Sequence, residues 1–440
     1  MSRSTLTMDQ SKIGTSYLGR PLRLAGSGGV ASPMAESFVP SAFQSPAGVT
    51  NTVWVDFAGG NDTDALNATS NGTNFAGSAY APFLSFVTAW NYTVVQANQN
   101  SGNHYVIRLK NTDGVYIYPS GSPTIRNLPR YPNVTVKGDG TNITVFEHSD
   151  DNLSFYLDTN NQAYQFYLNF EDLTLANLNV RVDDAAANTP GTNLSQPSYI
   201  RGNGTTGILY SLGVYGGAAG KGASVSDGGT ASSGGLGGGI SNLMLDGFVA
   251  KGITGSQLNI VAGRGGDGGD ANVFSAGEYG DQEAYGTCGN GGDPGYVDKV
   301  LIRNFKAHPY SDGSQPPNLS GWNMTVQQGA YGAGGVDKGG SMDGNPSFSS
   351  GNTIPGTTAQ KLAIVDSDVL NLSTYPDSAP ADGRATVEML NCYIGFTGTI
   401  TRTLCVYTLT AVGGAISPAV TIQASSSSTL TWCPTLDLFV

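Results

Sequence analysis

Val134-Thr-Val136-Lys-Gly138 sets a pattern to which the chain keeps returning. It recurs as Leu173-Thr-Leu175-Ala-Asn177, Leu243-Met-Leu245-Asp-Gly247 and Val300-Leu-Ile302-Arg-Asn304, then as Leu362-Ala-Ile364-Val-Asp366 and Val387-Glu-Met389-Leu-Asn391. Each phrase sets two apolar residues two apart and ends on Gly, Asn or Asp. Alternate side chains of a strand share a face, so the phrase reads as a short strand with one apolar side, closed by a residue that tolerates a turn. A strand this short cannot bury its apolar side alone and must stack on its own repeats. The predicted class is all-β, a stack of short strands with long insertions. A β-sandwich or jelly roll would use similar strands and stays open as the alternative.

Upstream, Val53-Trp-Val55-Asp-Phe57 alternates as a strand, and a turn-rich stretch with Gly60 and Asp62 follows. Ala81-Pro-Phe-Leu-Ser-Phe-Val-Thr-Ala89-Trp90 sets Phe83, Phe86, Val87 and Trp90 at helical spacing, with Pro82 suited to a first turn. Strands at Tyr105–Leu109 and after Asp113-Gly-Val-Tyr116 lead into Val134-Thr-Val136-Lys-Gly138. The order strand, Gly-x-Asp loop, Pro-Phe-x-x-Phe-x-x-Ala helix, strand, Asp-Gly-x-Tyr and Val-x-Val-x-Gly resembles the opening of right-handed parallel β-helix proteins. These form the pectate-lyase-like superfamily, which includes many phage tailspikes. The resemblance covers residues 53–146 and implies the fold far more than any activity.

Composition narrows the function classes. Of 440 residues only 12% are charged, and 62 are Gly, about twice the usual ~7%. The net charge of −12 disfavours an electrostatic grip on nucleic acid or on anionic membrane. The first residues carry no apolar run, so no signal peptide is expected, and no apolar window is long enough for a membrane helix. Four cysteines, Cys288, Cys392, Cys405 and Cys433, are too few and too scattered for a disulfide framework or a zinc site of ordinary spacing.

Four regions follow. Residues 1–50 are a Ser/Gly/Pro/Ala-rich arm without strand or helix period. Residues 51–146 hold the cap and first strands, 147–360 the strands with glycine-rich insertions, and 361–440 further strands and an apolar terminal segment that docks on something. The glycines concentrate between Gly202 and Gly356, in blocks at Gly216–Gly239, Gly263–Gly269, Gly286–Gly295 and Gly329–Gly344. Long excursions of this kind map to one face of a stack, commonly the functional one. They are also able to pack as extended segments, since only Gly permits such close backbone approach. Tyr279, Tyr285, Tyr296 and Tyr331 lie within or beside the blocks. Rings among small polar residues suit sugar or protein recognition, so these four are the candidate binding residues.

Catalysis by a Ser-His-Asp or Cys-His set has no motif to support it, and only three histidines are present. Paired carboxylates are the enzymatic option, as in polysaccharide cleavage. The candidates are Glu171 with Asp172, Asp183 with Asp184, Asp150 with Asp151, and Asp366 with Asp368; the last two, on one strand, would share a face at about 6–7 Å. The His-Gly and Arg-x-Lys elements of the polygalacturonase-like branch are missing. Gly265-Gly-Asp-Gly-Gly-Asp270 fits one calcium unit of a β-roll, making Asp267 and Asp270 calcium candidates, although such sites need tandem copies. No other cofactor is expected.

The resemblance implies a virion surface protein of the tailspike or fibre kind. In that reading residues 1–50 anchor it to other virion proteins, its glycine-rich face meets a host surface glycan or receptor, and it assembles as a homotrimer. It would be found on the particle rather than secreted by signal peptide. Two alternatives remain at this point: a capsid or tail decoration protein, and a polysaccharide lyase or hydrolase.

Overall fold

A computed structural model describes residues 48–68, 76–110, 114–118, 125–139, 144–148, 153–157, 165–225, 230–252, 255–271, 287–307, 321–335, 360–365 and 367–374; beyond these it describes only strands at 385–390, 393–394, 399–401, 405–410 and 421–423. The described residues are mostly β-strand with a small helical cap, consistent with an all-β protein, and the paired strands run parallel.

The repeated phrases are what stack. Leu243 pairs with Val300, Val300 with Leu362 and Leu362 with Val387. Two residues on, Leu245, Ile302, Ile364 and Met389 form the next rung set, extended backwards by Ile200 and Leu168. Leu168, Ile200, Leu245, Ile302 and Ile364 are all fully buried. Like side chains therefore lie over like, each strand burying the apolar edge of the one before. Two of the closing residues, Gly247 and Asn304, take positive φ, at 80° and 56°, as does Asp172 at 52° after the strand Tyr167–Glu171, whereas Gly138 does not. The phrase at Leu173 departs from the reading. It lies in the strand Thr174–Val182, which pairs elsewhere, and Asn177 sits within that strand.

The long strand Ser198–Tyr215 joins three stacks in turn. Its first residues pair with Tyr167–Glu171 and with Ile240–Ala250. Thr206 to Ile208 form a short middle stack with Phe248 to Ala250, continued by Lys306–Ala307. Ser211 to Tyr215 pair with Asn177 to Arg181 on one side and with Ser256–Val261 on the other, followed by Trp322–Gln327 and Asp368–Thr374. In this third stack Leu178, Leu212, Leu258, Met324 and Leu372 make the inward ladder. Large rings fill the interior: Phe248 and Phe305 lie 5.6 Å apart, and Phe305 meets Trp322 edge-on at 4.7 Å. The Trp322 indole N–H donates to the Lys306 carbonyl at 3.1 Å, so its one polar atom is satisfied within the core.

The cap covers the first strand, Thr50–Val55. Helix α1 (Asp62–Asn67) is capped by Asn61, and helix α2 (Phe86–Gln99) by Ser85. Asp62 accepts from the Leu84 and Ser85 amides and from the Thr88 hydroxyl, which ties α1 to the start of α2. The helix predicted from Pro82 begins at Phe86 instead. Phe83 bridges to Val55, because the open edge of the first strand needs backbone partners there. Phe86 and Trp90 lie on the helix as their spacing predicts, and both are buried.

Trp322→Ala should cost about 3–5 kcal/mol, the range for deleting a fully buried large ring. Chemical denaturation monitored by far-ultraviolet circular dichroism measures this, and a loss under 1 kcal/mol would place Trp322 outside the cooperative core.

Candidate functional site

The glycine blocks form a second body built on the strand ends. After Val182, Tyr215, Val261 and Gln327, the last residues of strands in the third stack, the chain runs outward through 183–189, 216–225, 262–271 and 328–335. It runs back inward through 190–194, 230–239 and 287–296, and the latter two lead into the strands at Ile240 and Val297.

Backbone hydrogen bonds repeat every third residue. In the outgoing layer the amides of Gly216, Ala219, Gly222 and Val225 donate to Val261, Arg264, Asp267 and Asp270 at 2.8–2.9 Å, and those of Ala262, Gly265 and Gly268 donate to Gln327, Ala330 and Ala333 at 2.8–3.1 Å. In the incoming layer Ala231, Gly234, Gly237 and Ile240 donate to Thr287, Asn290, Asp293 and Tyr296, each at 2.8 Å. The layers run in opposite directions and are cross-linked at the same period, with Gly263, Gly266 and Gly269 donating to Gly238, Gly235 and Ser232. A repeat of three with partners on several sides is that of an extended three-residue-per-turn helix, not of a pleated strand, whose period is two.

This packing demands glycine. A Cβ on Gly266 would sit 2.0 Å from the Gly220 carbonyl oxygen, and one on Gly292 would sit 1.9 Å from that of Gly235. Both contacts are with backbone, which cannot swing aside. The geometry obeys the collagen rule that only Gly fits where chains crowd, here applied to two sides of each segment.

In the segments 231–238 and 262–269 two of every three amides are thus paired with backbone, and side chains take part of the remainder. Asp184 accepts from the Ala218 amide at 2.9 Å, Asp267 from Ala333 at 2.8 Å, Ser224 from Asp270 at 2.9 Å and Asn193 from Gly239 at 2.6 Å. At the incoming segment 287–296 the lateral phase falls at Cys288, Gly291 and Pro294, and the proline has no N–H to leave unpaired there.

The sequence-derived candidates find different roles. Asp183 is ion-paired to Arg126, and its amide donates to Leu157. Asp184 caps Ala218 as above. Asp368 caps the Ala307 amide at 2.7 Å and opens a new strand, while the preceding one ends at Val365. The expectation of Asp366 and Asp368 along one strand is therefore corrected: the chain turns between them, with the Ser367 hydroxyl donating to Val365, and Asp366 itself lies outside the described residues. Tyr279 and Tyr285 also lie outside them. Tyr296 and Tyr331 are half-buried. Burial, and then the nearby Asp293 carboxylate, raise the Tyr331 phenol above its ordinary pKa.

Asp267 and Asp270 are not arranged as a β-roll. Both share one triplet phase of the segment 262–271; Asp267 is partly exposed and paired with Arg264 at 2.5 Å, whereas Asp270 is buried and paired with Lys221 at 2.7 Å. Among the described residues no group of three or more His, Cys, Asp or Glu side chains could hold a metal. No helix among them is long and apolar enough to cross a membrane. The sequence reading missed Lys221, Arg264 and the capping role of the acids. The visible signal was triplet spacing, Gly263/Gly266/Gly269 against Gly289/Gly292/Gly295 and Gly329/Gly332/Gly335.

Chemically, the body is a rigid, carbonyl-dense spacer with charge pairs on its outgoing side. Its far end gathers Val225, Thr230, Ala271, Thr287 and Gly335, through bridges Val225–Ala271 and Thr230–Thr287 and the Gly335–Gly289 bond. No family model matches the chain, and neither the curated proteins nor the solved structures contain a match.

Gly266→Ala should destabilise the body by about 1–3 kcal/mol or more, the scale of forced overpacking, while Ala330→Ser on the outward phase leaves stability within about 0.5 kcal/mol. Thermal unfolding of the two variants decides. Burial raises the Asp267 pKa, but the Ala333 amide, Arg264 and Lys221 outweigh it and hold the carboxyl below its ordinary 3.8. Its contribution is therefore complete above the unfolded value and is lost as pH falls through the depressed one. Asp267→Asn should remove part of the stability at pH 7 and little at pH 2, as read from denaturation at both pH values.

Proposed function

We propose that this chain is a surface protein of a virus particle, built as a right-handed parallel β-helix with glycine-rich insertions, which recognises a host surface glycan or receptor. The observation that carries the reading is the shared far end of the glycine body. The flanks of 226–229 and 272–286, and the start of 336–359, meet there. Residues 272–286 include Tyr279 and Tyr285, the candidate binding rings. A close-packed backbone body from whose end these sequence segments continue suits a recognition surface held away from a scaffold.

The three parallel stacks and the turn residues with positive φ support the β-helix. The enzymatic reading loses weight because Asp183, Asp184 and Asp368 are committed to an ion pair or to backbone caps. In the preferred reading residues 1–50 bind other virion proteins and the molecule is a homotrimer. Its charge of −12 fits neither a nucleic-acid nor a membrane partner.

Light scattering should give a trimer mass for the full chain and for a form lacking residues 1–50. Monomers in both would overturn the trimeric spike and favour a decoration protein that assembles only on its particle. Binding of the purified chain to an array of bacterial surface polysaccharides should fall at least ten-fold in a Tyr279→Ala/Tyr285→Ala variant of unchanged circular dichroism. Equal binding by that variant would remove the far end from recognition.

A further inference from the structure

The outer face of the third stack carries a different feature. Its rows, read across the stack, are Asn177, Ser211, Gln257 and Asn323; then Asn179, Gly213, Asn259 and Thr325; then Tyr156, Arg181, Tyr215 and Val261. This is a flat, uncharged polar surface bordered by a row containing two tyrosines and an arginine.

Gly213 is the centre of the arrangement. A Cβ there would lie 2.3 Å from Tyr215 Cε2 and 2.5 Å from Asn179 Oδ1. The missing side chain lets the Tyr215 ring fold back along the sheet instead of standing off it. Arg181, directly opposite Tyr215 in register, stacks its guanidinium on that ring at 4.5 Å from the centroid. Among the described residues no carboxylate pairs with Arg181, and its guanidinium is held against the ring. Beneath the ring, Asn179 is fully buried, and both its amide nitrogen and its amide oxygen lack a hydrogen-bond partner. A buried, unpaired amide is costly, and it persists here beside a ring that can turn about its own side-chain torsions. Asn259, on the other side of Gly213, is half-buried.

We infer that Arg181, Tyr215 and Asn179 form a subsite for an acidic saccharide. The guanidinium takes the sugar's carboxylate or sulfate, Tyr215 supplies a flat apolar face for the ring, and Asn179 gains hydroxyl partners when Tyr215 moves aside. Asn177, whose carbonyl oxygen accepts from Ser211 at 2.7 Å, and Asn259 continue the polar surface along the stack. A cationic subsite on a chain of net charge −12 selects for an anionic ligand locally, where long-range attraction would not. The inference rests on the glycan-recognition reading but places the sugar on the side of the stack, away from the far end of the glycine body.

Isothermal titration of the full chain with tetragalacturonate, with a carrageenan tetrasaccharide carrying sulfate only, and with neutral maltotetraose tests it. One or both acidic probes should bind, and the stronger one names the anionic group. Affinity should fall at least ten-fold in Arg181→Gln and in Tyr215→Ala, and weaken as salt rises; Tyr215→Phe should retain it. Asn179→Leu should unfold no more easily than the natural chain and bind more weakly. No binding by either acidic probe at millimolar concentration, equal binding by Arg181→Gln, or preference for maltotetraose would overturn the inference. Those results leave the array experiment with the Tyr279/Tyr285 variant unaffected, so failure of the subsite and failure of the recognition reading are separable.

Discussion

Parallel register is the constraint on which everything else in this molecule rests. Tyr215, Val261 and Gln327 lie side by side at the ends of three neighbouring strands. The next amides along, Gly216 and Ala262, continue the same pairing into the glycine body. Each outgoing segment therefore begins already aligned with its neighbour, at the spacing the strands impose. Side chains cannot fill gaps in such an array; they can only be omitted. Glycine follows from that alignment, since segments delivered at strand spacing and cross-linked to a second layer leave no volume for a Cβ on their inner sides.

The change of period at the strand ends is equally physical. A pleated strand offers hydrogen bonds on two edges and side chains on two faces. A segment with neighbours to left, right and across needs donors in more directions, and a three-residue turn supplies them. The third phase of each triplet then carries most of the charged side chains of the body. Asp184, Lys221, Arg264, Asp267 and Asp270 all fall there, and the acids among them double as caps or counter-ions for their neighbours.

Much of the strand architecture was legible in the chain. The apolar-x-apolar phrase located rungs that pair residue for residue, and its terminal Gly247 and Asn304 take the left-handed conformation expected of them. Phe86 and Trp90 were correctly assigned to a helix, although the start of α2 was not, because the cap and bridge at Ser85 and Phe83 depend on contacts with the first strand. The glycine blocks were recognisable as close-packed segments; their arrangement was not. Asp267 reaches an amide 66 residues away and Asp184 one 34 residues away, and no local spacing encodes such a meeting. The motif Gly265 to Asp270 looked like a calcium unit because the same glycine triplets serve both architectures. Arg181, Tyr215 and Asn179 come together only through the register of two strands, and Gly213 gives no hint in sequence that it makes room for a ring.

A three-residue helix clamped on several sides behaves like text with a reading frame. Inserting or deleting one residue within 262–271 would rotate every later side chain by about a third of a turn. Asp267 or Asp270 would then point into the neighbouring backbone, and a glycine would face solvent. Changes of three residues preserve the phase of the segment in which they occur, though its far partners would slip by one rung. Length variation inside this body should thus come in triplets shared among adjoining segments.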